Sequence, residues 1–511
     1  MERRIFWGVS SSAFQFEMGD SLRRFIDPNT DWWAWVRDPK NIFEGLVSGD
    51  LPEDGVDYAE YYPKDHELAR SLSLDVYRVT VEWSRIFPYP TSLVEVDVER
   101  DGLGFIKDVR ISEETLRHLD RIASKRYVSF YRELIADLRK RGFKVIVNLN
   151  HFTLPIWLHD PLVVRDTHGE EGPRGYAEEM FVTEFTKFAA YVAWKFGDLV
   201  DLWSTFNEPM VMVELGFLSS TSGFPPGIRA PRLAARALHN HIIAHARAYD
   251  AIKRFDRVKA YPDSREPAEI GVIHNIIPPY PLDSSDASSC DSYNYFRNKL
   301  ILEAWVRGVM DVHLDGKSLE KLPHLGNKLD WLGINYYTRV VIKKSEKKVE
   351  EIPLLNFEGV EGYGYACLPN GASKDGRPCS DFGWEVYPEG FLDTINIGWE
   401  YKKPIFITEN GIADHRDLLR PYYIVNHVYV MEKALESGVD IRGYLHWALT
   451  DNYEWASGFR LKFGLFEVDL LTKERKPRFS ATLYRRIVEN NGVPEDLKSK
   501  YLLSDLKVKT E

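Results

Sequence analysis

Two carboxylates stand where a chain could use them as a working pair. Glu208 lies in Thr205-Phe206-Asn207-Glu208-Pro209, and Glu409 ends the apolar, β-prone run Ile405-Phe406-Ile407-Thr408 just before Asn410-Gly411. Asn-Gly turns a backbone readily, so Glu409 reads as the tip of a buried strand. Taken alone it is a solvated turn residue. Opposed to a second carboxylate it has a chemistry: one group attacks or stabilises an anomeric carbon while the other protonates the leaving oxygen, which is what glycosidic cleavage requires.

The elements around these residues decide whether they meet. Apolar runs at 5–9, 76–83, 144–149, 199–205, 270–273, 331–337, 404–408 and 441–445 read as strands. Helical periodicity at 58–72, 128–141, 181–196, 232–255, 293–306, 388–401, 421–436 and 481–490 separates or follows them. Two charged, weakly periodic stretches, 89–126 and 340–385, are insertions. About eight strand-then-helix units without a clear linker imply a parallel sheet closed into one (β/α)8 TIM barrel with long insertions in its βα loops, a single catalytic domain over residues 1–511. An open doubly wound sheet competes, but no glycine-rich dinucleotide loop follows the first strand.

In such a barrel the C-terminal strand ends carry function. By this count those ends are Gln15, Arg78, Asn148 with His151, Asn207 with Glu208, Tyr337, Glu409 and Glu454. Glu208 and Glu409 fall on strands four and seven, facing each other across the mouth. Strand counting does not measure their separation, so it leaves retention and inversion open.

Composition bounds the partners. Hydrophobic residues make up 44% of 511, enough for a large core, and aromatics 13%, which suits both a thick core and a ring-stacking site. A net charge of −11 argues against nucleic acid or an anionic membrane. No run of 18 apolar residues spans a bilayer, and Arg3-Arg4 precede a run too short for a secretory leader. A cytoplasmic protein is the expectation. Three cysteines make no disulfide framework, and the pairing of Cys367 with Cys379 is left open. His239, His241 and His245 have a metal-site look. Within a helix, however, i and i+2 diverge, and no carboxylate follows in the next turn, so no metal is expected.

The motifs together resemble glycoside hydrolase family one, in its hyperthermophilic archaeal branch. The segments around Glu208 and Glu409 match its two signatures. Ser12-Ala13-Phe14-Gln15, Glu82-Trp83-Ser84-Arg85-Ile86-Phe87-Pro88, Asn335-Tyr336-Tyr337-Thr338 and His446 to Trp455 fall in the family's order, and Asp31 to Trp35 with Ser48 to Pro52 look like the archaeal branch. The resemblance implies a retaining exo-β-glycosidase acting on terminal β-linked glucose, galactose or mannose of small glycosides or oligosaccharides. It implies no cofactor, since proton and nucleophile are side chains. Glu409 would be the nucleophile, touched by Arg78 and Tyr337, with Glu208 the general acid/base roughly 5–5.5 Å away. Gln15, His151, Asn207 and Glu454 would hold sugar hydroxyls, Trp447 would lie under the ring, Trp455 would donate to the hydroxyls, and Trp384 would flank the leaving group. The branch also implies thermostability and a homo-oligomer, a tetramer. Asn150 and Phe152 depart from the commoner aromatic and tryptophan, and members with this variant include β-mannosidases. The non-enzymatic alternative, a silent carbohydrate-binding barrel, usually loses one glutamate; both are present here.

Overall fold

The computed structural model describes residues 4–504 and 506. Eight parallel strands close into a barrel: β1 (Phe6–Ser10), β2 (Val76–Thr80), β3 (Lys144–Asn150), β4 (Leu202–Asn207), β5 (Glu269–Asn275), β6 (Trp331–Tyr336), β7 (Ile405–Asn410) and β8 (Ile441–His446). They neighbour one another in chain order, and closure comes where β1 pairs with both β8 (Phe6 opposite Gly443) and β2 (Gly8 opposite Val76). Each strand is buried on both faces nearly throughout, as a parallel sheet wrapped in helices must be.

The wrapping helices include α1 (Tyr58–Ser71), α2 (Lys125–Lys140), α3 (Met180–Phe196), α4 (Pro231–Phe255), α5 (Glu389–Trp399), α6 (Arg420–Glu436) and α7 (Phe479–Asn490). In α2 the buried Val128, Tyr131, Leu134, Ile135 and Leu138 recur at helical spacing against the barrel. Arg141 closes the helix and Gly142 follows at φ +88°, the left-handed stop that glycine adopts without a Cβ clash. Between β5 and β6 the expected helix over 293–306 is replaced. A short helix, Ala287–Tyr293, runs into wide π-type turns at Asn294–Lys299 and Glu303–Arg307.

The insertions have structure of their own. A hairpin, Asp97–Arg100 with Ile106–Arg110, and a helix, Glu113–Ile122, occupy the first. In the second, Val340–Lys344 and Phe357–Gly359 join Pro279–Pro281 in a small sheet. The three cysteines are free.

Every strand sends one apolar side chain into the lower barrel: Phe6, Val76, Ile146, Leu202, Ile273, Trp331, Phe406 and Leu445. Trp331 is admitted because β5 has Gly271 beside it, where a Cβ would fall 2.4 Å from the indole. This layer is a solid floor, and the polar strand ends stand above it.

Candidate active site

Strict alternation along β7 would not deliver Glu409 to the barrel mouth. Phe406 points into the floor and Ile405 and Ile407 pack outward, so period two would send Glu409 outward as well. The register against β8 slips between Ile407 and Asn410, and Asn410 is the residue that bonds outward, to Tyr423 of α6 at 3.0 Å. The slip turns Glu409 inward. β4 does the same: its register against β5 slips between Ser204 and Asn207, Phe206 packs on Phe185 of α3, and Asn207 turns into the mouth. The chain then takes Glu208 through φ +49°, a left-handed conformation costly for a non-glycine residue, before Pro209 opens a helical turn.

Glu409 is held by two donors. Arg78 Nη2 lies 2.5 Å from Oε1 and Tyr337 donates its phenol to Oε2 at 2.6 Å. Arg78 sits in the middle of β2, not at the tip expected for it. Its Nη1 also donates to Asn207 Oδ1 at 3.3 Å. Glu208 has a different setting. Asn335 Nδ2 donates to Glu208 Oε1 at 2.6 Å and to Asn207 Oδ1 at 3.1 Å, and Thr408 Oγ1 donates to Asn335 Oδ1 at 2.7 Å.

Burial, then the neighbouring Glu409, push the Glu208 carboxyl up to about 8. Glu454 is pushed to about 8 by burial and by the same two glutamates. Glu208 and Glu454 therefore keep their protons near neutrality, beside a Glu409 that alone is held by both Arg78 and Tyr337. One group fit to attack and one fit to donate a proton now stand in a single cavity.

The cavity encloses about 590 Å³ and is lined by both glutamates with His151, Phe152, Asn207, Tyr337, Trp384, Trp447, Glu454 and Trp455. His151 stacks between Trp447 (5.9 Å) and Trp455 (5.7 Å), and its Nε2 lies 3.2 Å from Asn207 Nδ2. Burial, and then Arg78, hold its ring well below the usual histidine range, so it is neutral. Trp384 packs on Phe382 (4.3 Å) and tilts over Tyr337 (5.1 Å) at the outer wall. Gln15 is not among the lining residues. It joins the site through Glu454, to which its amide donates at 3.4 Å, while bonding Asn452 at 3.1 Å. Asn148 turns away to the Asn150 carbonyl at 2.8 Å.

Asn335 received no role from the sequence, although it opens the Asn335-Tyr336-Tyr337-Thr338 segment. Its three bonds bring together residues from β4 and β7, which strand patterns do not reveal. Among the described residues no cluster of histidine, cysteine, aspartate or glutamate could hold a metal ion. His241 bonds the Ala237 carbonyl and His245 is engaged by Thr205 and the Lys328 carbonyl.

Comparison with known proteins gives the family and the fold. The family model described as Glycosyl hydrolase family 1 matches residues 2–111 and 121–493. A beta-galactosidase of Pyrococcus woesei is 54% identical over 506 residues, covering 98% of this chain and 99% of that protein. The crystal structure of the beta-glycosidase from the hyperthermophile Thermosphaera aggregans superposes with a TM-score of 0.90 at 43% identity, covering 99% of this chain and 100% of that one. A beta-glucosidase mutant derived from a hyperthermophilic tetrameric structure superposes at 0.87 with 40% identity, covering 99% of each.

Proposed function

The chain belongs to glycosyl hydrolase family 1 and is an O-glycoside hydrolase, and from that premise we propose that Glu409 is its nucleophile and Glu208 its general acid/base. The observation that carries the assignment is the asymmetry of their partners. Glu409 is held by a guanidinium and a phenol, while Glu208 is buried beside another carboxylate and keeps its proton.

Glu409 attacks the anomeric carbon, the bond to the leaving oxygen breaks, and the Glu208 proton passes to that oxygen. Glu208, now a carboxylate, takes a proton from water, whose oxygen displaces Glu409 from the sugar. Two displacements return the original anomeric configuration. Trp447 serves as the platform under the ring, with Gln15, His151, Asn207, Glu454 and Trp455 as hydroxyl partners, Gln15 also bonding Glu454. Apolar walls with a few convergent polar groups suit a sugar, whose faces are apolar and whose rim is not. Trp384 flanks the leaving group.

The substrates on this reading are small β-linked glucosides, galactosides or mannosides, cleaved one terminal unit at a time. Mannoside cleavage as the main activity is the second reading. It is favoured by Phe152, whose phenyl ring, with no donor, packs 4.9 Å from His151 in the cavity. We read the assembly as a homo-tetramer and the compartment as the cytoplasm. Three free thiols fit a reducing environment.

The test is Glu409→Gly. It abolishes hydrolysis of an aryl β-glucoside and is rescued by azide to give the α-glycosyl azide; an inactive variant that azide does not rescue refutes the assignment. Comparing kcat/KM on aryl β-glucoside, β-galactoside and β-mannoside separates the glycone readings.

A further inference from the structure

On one side of the cavity two segments abandon α-helical winding. Met212–Gly216, four residues beyond Glu208, and Asn294–Lys299 both take the wider turn of a π-helix. Such turns change the face from which a side chain leaves, and they concentrate at functional sites. Glu214 stands on the first segment and Arg297 on the second. Arg297 Nε lies 2.9 Å from Glu214 Oε2, and Nη1 and Nη2 donate to the backbone carbonyl and Oδ1 of Asn275 at 3.0 and 3.1 Å. Arg297 is 1% exposed, yet it lines the cavity together with Glu208, Glu214 and Asn275. The cation's two terminal nitrogens are hydrogen-bonded to Asn275, and its Nε faces the Glu214 carboxylate. It cannot swing out to follow a substrate.

The two-step mechanism leaves this pair unused. We propose that Arg297 is a positioning residue for Glu208: its fixed, buried charge favours the carboxylate form of Glu208, and Glu214 sets how much of that charge Glu208 feels. The inference rests on Glu208 being the general acid/base.

The groups that face Glu208 leave this role to Arg297. Glu409 and Glu454 are carboxyl groups and supply no cation; Tyr337 and Tyr365 are phenols held above their ordinary range by burial first. Arg78 is committed to Glu409. Arg297 is thus the nearby cation whose counter-ion is not a reacting group. Its other neighbours are neutral: Tyr293 and Tyr365 keep their protons, and His274 is held low, to about 3, by burial and then by Arg297 itself. Burial and Glu409 keep the proton on Glu208 for the first displacement, whereas the second needs the same oxygen pair as a carboxylate base. A cation fixed in place favours that carboxylate without any rearrangement.

Three variants test this: Arg297→Gln, Arg297→Lys and Glu214→Gln, each checked for folding by circular dichroism and thermal midpoint. The pH dependence of kcat/KM and the rate of the second displacement, isolated with a good leaving group, are the readouts. Arg297→Gln moves the basic limb upward by roughly one unit and slows the second displacement. Glu214→Gln moves the limb downward, because Arg297 loses its counter-charge. Arg297→Lys restores the native limb. Limbs that stay put in folded variants, or that move in the same direction, overturn the proposal. Glu208→Gly separates the premise from the inference. If that variant keeps the native basic limb, the reading of Glu208 has failed; if the limb disappears while the Arg297 and Glu214 variants leave it unmoved, the inference alone has failed.

Discussion

Arg78 brings a guanidinium nitrogen within 2.5 Å of Glu409 Oε1 with both side chains almost fully withdrawn from water, at 0% and 4% exposed. A buried pair broken on one side leaves an uncompensated charge, at a cost of about 3–5 kcal/mol. Arg78→Met is expected to lower kcat/KM by about 10²- to 10³-fold and to depress the thermal midpoint. Arg78→Lys recovers part of the loss, because an ammonium cannot also reproduce the fork to Asn207. Native kcat/KM in Arg78→Met would remove Arg78 from the mechanism.

With Glu208 as the proposed acid/base, a pH profile follows. Its carboxyl is raised to about 8, first by burial and then by Glu409, and only the protonated form can serve the first displacement. Activity therefore persists through neutrality and falls as pH rises through about 8. Glu208→Gln should abolish this basic limb for substrates whose leaving group needs no proton. Glu454, raised to about 8 as well, is a sugar contact on this reading, so Glu454→Gln should retain the limb. Measuring kcat/KM from pH 4 to 10 in the three proteins distinguishes the two carboxyls.

Asn335 ties Glu208 and Asn207 to Thr408 of β7 through buried bonds. Its bond to Glu208 lowers that group's proton affinity, so Asn335→Ala is expected to raise the basic limb while cutting kcat by about 10²-fold. A fall in kcat with an unmoved limb would mean that Asn335 orients Glu208 without tuning it.

A second carboxylate cluster governs stability instead. Arg85 is buried beside Glu17 at 2.8 Å and Asp27 at 3.9 Å, with Glu82 close by. One cation cannot balance three carboxylates. Glu17 is raised to about 7 and Glu82 to about 8, burial leading in both. A raised carboxyl gives its full contribution to stability below the ordinary carboxylate range and loses it as pH climbs to about 8. Glu82→Gln keeps an acceptor for Thr153, which donates to Glu82 at 2.7 Å, and cannot ionise. Its thermal midpoint relative to the native chain should rise between about pH 5 and pH 8 and then level off. A constant difference would show that Glu82 is not the group involved.

Much of this was legible before the fold was known, and for identifiable reasons. Fully buried parallel strands are continuous apolar runs, so the eight barrel strands could be counted and Glu208 and Glu409 placed opposite each other. The register slips in β4 and β7 left no such mark. Alternation from Phe406 predicts an outward Glu409, and only the pairing with β8 shows otherwise. Arg297 was hidden for a similar reason. In an apparently helical stretch at 293–306 a single arginine reads as surface, and the π-type winding that turns it into the cavity has no sequence period. Asn335 and Gln15 depend on contacts between distant strands. Trp384, Trp447 and Trp455 came from resemblance, since aromatic side chains fill cores as readily as sites.

The apolar layer across the lower barrel, one side chain from every strand, has a kinetic corollary. With the floor closed, whatever enters from the strand ends must leave by the same door. A freed monosaccharide therefore occupies the space that the next chain end needs, which makes it a competitor of the substrate. A polymer cannot be threaded through the barrel.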